Sequence, residues 1–198
     1  MECIVVSGSL PCLRPLCMLL CGSLKSVSKV WTAAPQLEDL KILHCPNMDM
    51  SATGDPHHSL RSLEISYYER LVSSAAFIIS QFQGLTHLYI WGKCKSLKSF
   101  PKEGWLPASL ESLTLDSFKT VETLECKGLA HLTSLKELHV SRCPMLENIE
   151  GEKLPASLIQ LIINDSPLLG KRCEMKDPQV WPKISHTQHV RVDRTYIH

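Results

Sequence analysis

Large rings are scarce in this sequence: phenylalanine, tryptophan and tyrosine make up 6% of 198 residues. A single globular core built on aromatics is therefore disfavoured, and many small leucine-filled layers suit the composition better. Charge of one sign is missing too. The formal net charge is +1 and blocks of like charge are absent, which excludes bulk electrostatic attraction to nucleic acid. No stretch approaches the ~20 apolar residues of a membrane helix, so no membrane span is expected. The apolar run Leu16 to Leu20 behind Arg14 is too short for a signal peptide, and Glu2 and Pro15 are wrong for one. Nine cysteines, an odd number, occur without one Cys-x-x-Cys pair, which predicts reduced, mostly buried thiols and a cytoplasmic chain.

Motifs of chemistry are also missing. Gly92-Lys93 is followed by Cys94 and lacks the upstream glycine of a phosphate-binding loop. Gly-x-Ser-x-Gly, His-Glu-x-x-His and paired-carboxylate patterns do not occur, so neither catalysis nor a cofactor is expected. His57-His58 has no cysteine at zinc-ligand spacing, and His186-x-x-His189 with Cys173 is one ligand short of a structural site.

A repeat is what the sequence does contain. Leu-x-x-Leu-x-(Ile/Leu/Val), often with cysteine three residues later, recurs seven times, with Met18 in the last place of the first unit. It runs as Leu13-Leu16-Met18-Cys21, Leu37-Leu40-Ile42-Cys45, Leu60-Leu63-Ile65, Leu85-Leu88-Ile90, Leu110-Leu113-Leu115, Leu135-Leu138-Val140-Cys143 and Leu158-Leu161-Ile163. First leucines are 24, 23, 25, 25, 25 and 23 residues apart, inside the leucine-rich-repeat range of about 20–29. The last two apolar positions of each unit lie two residues apart, so they share one face of a short strand. One unit cannot bury that face alone, but stacked units make a continuous apolar column.

The expected fold is therefore an α/β repeat, a leucine-rich-repeat solenoid (horseshoe) with one short parallel strand per repeat. Residues 1–198 form one domain in this reading, with repeats starting near 13, 37, 60, 85, 110, 135 and 158 and a cap over 170–198. Pro35, Pro46, Pro101, Pro107, Pro144, Pro155 and Pro167 punctuate the convex side, predicting an irregular, mostly non-helical return path. Leu71 to Phe82 is the stretch suited to a helical turn or two. Residues at the cysteine position, including Tyr68, Phe118 and Ser166, are expected to point inward, and Cys94, one residue late, to mark a bulge. Val190-x-Val192 is expected to supply a closing strand after a loop from Gly170 to His189. Ile4 and Val6 imitate the repeat only a dozen residues before the next unit, which reads as a truncated or spliced beginning with an uncapped edge.

Equivalent outward positions should form columns on the concave surface. One holds Cys17, Lys41, Glu64, Tyr89, Thr114, His139 and Ile162; the next holds Leu19, Leu43, Ser66, Trp91, Asp116, Ser141 and Asn164. Lys41 beside Glu64 predicts a cross-strand ion pair. His87, Tyr89 and Trp91 alternate on one strand with Tyr67 on the strand before, the residue types that anchor protein interfaces. The candidate protein-binding face is Lys41, Glu64, Tyr67, His87, Tyr89, Trp91, Thr114, Asp116 and His139.

Details of the units resemble one family. Leu135-Lys-Glu-Leu-His-Val-Ser-Arg-Cys-Pro144, Leu37 to Pro46, and the twin phrases Leu106-Pro-Ala-Ser-Leu110 and Leu154-Pro-Ala-Ser-Leu158 resemble plant nucleotide-binding leucine-rich-repeat disease-resistance proteins. The segment Ser166-Pro-Leu-Leu-Gly-Lys-Arg-Cys173 followed by Asp177-Pro-Gln-Val-Trp-Pro-Lys-Ile-Ser-His186 resembles the C-terminal ending of the coiled-coil subclass. That resemblance implies the repeat region of an intracellular immune receptor. It implies protein partners: a pathogen effector or guarded host protein, and the nucleotide-binding domain of the parent receptor, which this chain lacks. An extracellular receptor-type repeat, an F-box-linked adaptor and a non-functional gene fragment are the alternatives.

Overall fold

A computed structural model describes residues 9–23, 25–47, 58–67, 79–92 and 97–198. Its strands are β1 (Pro15–Leu19), β2 (Asp39–Leu43), β3 (Ser62–Tyr67), β4 (His87–Gly92), β5 (Ser99–Phe100), β6 (Ser112–Asp116), β7 (Thr123–Glu125), β8 (Glu137–Ser141), β9 (Asn148–Glu150), β10 (Gln160–Asn164), β11 (His189–Val192) and β12 (Thr195–Tyr196). The described helices are α1 (Ser28–Ala33), α2 (Cys126–Leu129), α3 (Pro167–Glu174) and α4 (Trp181–Ile184).

Nine strands form one sheet in the order β1-β2-β3-β4-β6-β8-β10-β11-β12, parallel throughout except where β12 runs back along β11. A mostly parallel sheet with few and short helices is compatible with an α/β repeat fold. The register follows the sequence pattern. Leu16, Leu40, Leu63, Leu88, Leu113, Leu138, Leu161 and Val190 are Cα partners in succession. A one-residue slip would turn each apolar pair out to water, so burial fixes the pairing.

Burial confirms which face is the core. Leu40, Leu63, Leu88, Leu113, Leu138 and Leu161 are at most 2% exposed, and so are the first leucines Leu37, Leu60, Leu85, Leu110, Leu135 and Leu158. Each unit is tied to the one before by the same backbone arrangement. The Glu111 carbonyl accepts both the Lys136 and Glu137 amides, and the Lys136 carbonyl accepts those of Ile159 and Gln160. Serines of the twin Pro-Ala-Ser-Leu phrases join in: Ser109 Oγ donates to Leu85 O at 2.7 Å and Ser157 Oγ to Leu132 O at 3.2 Å. The phrase thus supplies a hydroxyl that satisfies a carbonyl one unit back.

The opposite side is more regular than the prolines suggest. There β5, β7 and β9 make a second parallel sheet, with Phe100, Leu124 and Ile149 in register and buried. Helices on this side are short, as expected; α2 has 4 residues. The expected bulge at Cys94, the position of Tyr68 and most of Leu71 to Phe82 lie outside the described residues. Ile79 and Phe82 from the end of that stretch are buried.

Every described strand that ends at the cysteine position turns through a left-handed residue. These are Leu20, His44, Ser117, Arg142 and Asp165, with φ between 47° and 58°. The following side chain then drops into the core: Cys45, Phe118, Cys143 and Ser166 are at most 3% exposed. Phe118 lies against Gly92, where an added Cβ would meet the ring at 2.6 Å, so only glycine fits at that strand end.

The C-terminal segment departs from its expected description. Val190 and Val192 do form a strand, but 170–189 is not a loop: it carries the end of α3 and all of α4. Leu169, Cys173 and Ile184 are at most 1% exposed and cover the last layer. Among the described residues, no helix is long and apolar enough to cross a membrane.

Candidate functional site

The face turned away from the core carries the predicted columns in register. Cys17, Lys41, Glu64, Tyr89, Thr114, His139, Ile162 and Arg191 are successive partners. Ser66, Trp91, Asp116, Ser141 and Asn164 form the neighbouring row. Lys41 Nζ meets Glu64 Oε2 at 2.6 Å, the ion pair expected from the sequence. With the lysine side chain 53% exposed, that pair is worth well under about 1 kcal/mol. His87 is exposed and its Nδ1 lies 2.9 Å from Thr86 Oγ1, while Tyr67 pairs through its backbone with Gly92. Thr114 sits half-buried between Tyr89 and His139.

Asp116 requires a correction. Expected on the open surface, it is 3% exposed and is the hub of a polar cluster spanning β4, β6 and the end of β8. Tyr89 donates its hydroxyl to Asp116 Oδ2 at 2.5 Å, and Ser117 Oγ donates to Oδ1 at 2.8 Å. The Arg142 guanidinium grips both oxygens, through Nε to Oδ1 at 2.8 Å and through a terminal nitrogen to Oδ2. Burial pushes the Asp116 carboxyl up, but the hydrogen bonds from Arg142, Tyr89 and Ser117 outweigh it, and the pKa falls below the ordinary value. Ser66 and Ile162, also placed outward by the pattern, are 6% and 5% exposed.

Trp91 and Tyr89 stand half-buried beside this cluster with ring centroids 6.1 Å apart, and His44 meets Trp91 edge-on at 6.2 Å. Burial and then the bond to Asp116 raise the Tyr89 phenol's pKa; the Trp91 indole opposes them without reversing the direction. Two members of this constellation, His44 and Arg142, were missed by sequence reasoning. Both occupy the left-handed turn position, which swings their side chains back over the outward face. Their common place, one residue before the inward cysteine, is the signal that would have found them.

His139 sits two strands from Arg191. Its Nε2 is sealed from solvent without a hydrogen bond; Glu137 Oε2 at 3.7 Å is too far to supply one. Burial holds its pKa below 6.5, Arg191 adds to that, and Glu137 works against it. The unfolded imidazole therefore takes up a proton near pH 6.5 while the folded one resists, so stability falls as the pH drops through that window. In His139→Gln, the urea midpoint should change less between pH 7.5 and 5.5 than in the parent chain. An unchanged slope would mean that the imidazole takes up its proton equally in the folded and unfolded chains.

Among the described residues, no group of three or more histidine, cysteine or acidic side chains is placed to hold a metal. Cys173 is fully buried, His186 Nε2 lies 3.2 Å from Pro155 O, and His189 packs edge-on against Tyr196.

No family model matches the sequence, and no solved structure matches it. Over 135 residues, 68% of this chain, it is 30% identical to a protein of Arabidopsis thaliana named as a candidate disease resistance protein. That stretch spans 9% of the relative's length. The chain is thus related in sequence to a small part of a plant disease-resistance protein.

Proposed function

We propose that this chain is a leucine-rich-repeat solenoid, curved into a horseshoe, whose concave face binds protein and catalyses nothing. In this reading it is the C-terminal repeat region of a cytoplasmic immune receptor of the coiled-coil, nucleotide-binding type. It recognises a pathogen effector or a guarded host protein, and until then it restrains the nucleotide-binding switch of the parent receptor. The observation that carries the reading is the fixed constellation of Tyr89, Trp91 and Arg142 on the outward face of a regular parallel ladder. Tyrosine, tryptophan and arginine dominate interface energies, and here a buried carboxylate orders two of them in advance. The similarity to a disease-resistance protein supports placing that binding in defence.

Photo-crosslinking residues placed at Thr114, between Tyr89 and His139, and at Lys127, exposed on α2, test the assignment. A partner captured from challenged plant tissue should attach at Thr114 and not at Lys127. Purified, it should bind the Trp91→Ala chain at least about tenfold more weakly. Equal capture from both positions, or binding untouched by Trp91→Ala, would remove the outward face as the recognition surface.

A further inference from the structure

Two neighbouring units carry cysteine at the inward position after the strand. The β1–β2 register runs with a constant offset of 24 from Pro15↔Asp39 to Leu19↔Leu43. The Leu20 amide prolongs it onto Leu43 O at 2.9 Å, and the same offset sets Cys21 beside Cys45. Neighbouring strands lie about 4.8 Å apart, within the ~4.4–6.8 Å Cα separation that a disulfide spans. Both chains turn alike just before the cysteine, at Leu20 with φ 57° and His44 with φ 55°, so the two side chains leave in the same direction. The sulfurs converge on the end of β1. Cys45 Sγ lies 3.8 Å from Met18 O across the strand pair, and Cys21 Sγ lies 3.5 Å from Leu19 O. Neither sulfur is held in a disulfide. Farther along, Cys143 has Phe118 and Ser166 in its neighbouring inward positions, with no second thiol.

We propose that Cys21 and Cys45 are a peroxide-responsive pair whose disulfide clasps β1 to β2. Their exposures assign the roles: Cys21 is half-buried and open to a small oxidant, whereas Cys45 is 2% exposed. The Cys21 thiolate attacks one oxygen of hydrogen peroxide. The O–O bond breaks, hydroxide leaves and is protonated to water, and Cys21 becomes a sulfenic acid. The Cys45 sulfur then attacks the Cys21 sulfur, expelling hydroxide that combines with the Cys45 thiol proton as a second water. Two thiols lose two electrons and one peroxide gains them. Burial raises the Cys45 pKa, so the second step quickens with rising pH.

The clasp ties a less covered layer to a fully covered one. Leu13, Leu16 and Cys21 are only partly buried, while their counterparts Leu37, Leu40 and Cys45 are at most 2% exposed. Local opening is cheapest in such a layer, and a covalent tie to the next strand suppresses it.

The test is a non-reducing peptide map of the full chain after stoichiometric hydrogen peroxide, with amide exchange on the same samples. A Cys21–Cys45 linkage that dithiothreitol reverses is expected, absent in Cys21→Ser and kept in Cys17→Ser. Exchange at Cys17 to Leu20 should slow by roughly tenfold on oxidation. Three results would overturn the proposal: Cys21 linked instead to Cys12 or Cys17, Cys21 oxidised to sulfinic acid while Cys45 stays a thiol, or a linkage that leaves exchange unchanged.

Discussion

Leu138→Ala is expected to cost about 3–5 kcal/mol of folding stability, while the equivalent Leu16→Ala costs about 1 kcal/mol. Both leucines are the second apolar residue of their unit, and both lie in one register column. Leu138 is 0% exposed, with Leu113 and Leu161 as its neighbours on either side, themselves at most 1% exposed. Truncation there leaves a void that two flanking layers cannot fill without breaking their own register. Leu16 is only partly buried, so the folded state already forgoes much of its burial and water enters the gap. Urea unfolding read by tryptophan fluorescence and by amide exchange separates the cases. Exchange matters because long repeat arrays lose strict two-state behaviour, and the Leu16 change should loosen β1 alone. Equal costs at the two positions would mean that the ladder does not stack as described.

The strands and their pairing were legible in the sequence because one physical requirement repeats there. Leucine, then leucine, then a branched apolar residue at offsets of three and five must face inward, and intervals of 23–25 residues return each strand beside the last. Columns read from that spacing reappear as Cα partners, down to the Lys41–Glu64 ion pair. Periodicity is blind to what lies between repeats. The sheet of β5, β7 and β9 uses strands of two or three residues, too short to alternate visibly, and prolines nearby argue against it. The left-handed turn residues also stayed hidden, since leucine, histidine, serine and arginine occupy positions where glycine or asparagine would have advertised the geometry. Arg142 and His44 were missed for that reason. Asp116 was misplaced because alternation gives a direction and not a depth: an outward side chain is buried once a tyrosine and an arginine close over it.

Asp116→Ala is the second large effect, about 2–3 kcal/mol at neutral pH. The value sits below that for a wholly buried ion pair because the Arg142 side chain is 51% exposed and can rehydrate. Tyr89 is half-buried and loses its acceptor, which accounts for much of the loss. The pH dependence follows from the lowered carboxyl pKa. A group whose folded pKa is depressed adds stability that is fully present above its unfolded value, 3.8 for this aspartate. That stability is lost as the pH falls through the folded value, so the parent and Asp116→Asn chains should converge in stability below roughly pH 4. A constant gap down to pH 2.5 would show that Asp116 contributes as a hydrogen-bond acceptor irrespective of charge. The substitution also separates two roles. Asp116 is too deep to meet a partner, so any weakening of binding in Asp116→Asn has to act through Arg142 and Tyr89. Arg142→Lys, which keeps the charge but cannot grip both carboxylate oxygens, should then weaken binding to a similar degree. If Arg142→Lys binds as well as the parent chain, the arginine serves the fold and the recognition surface narrows to the aromatic pair.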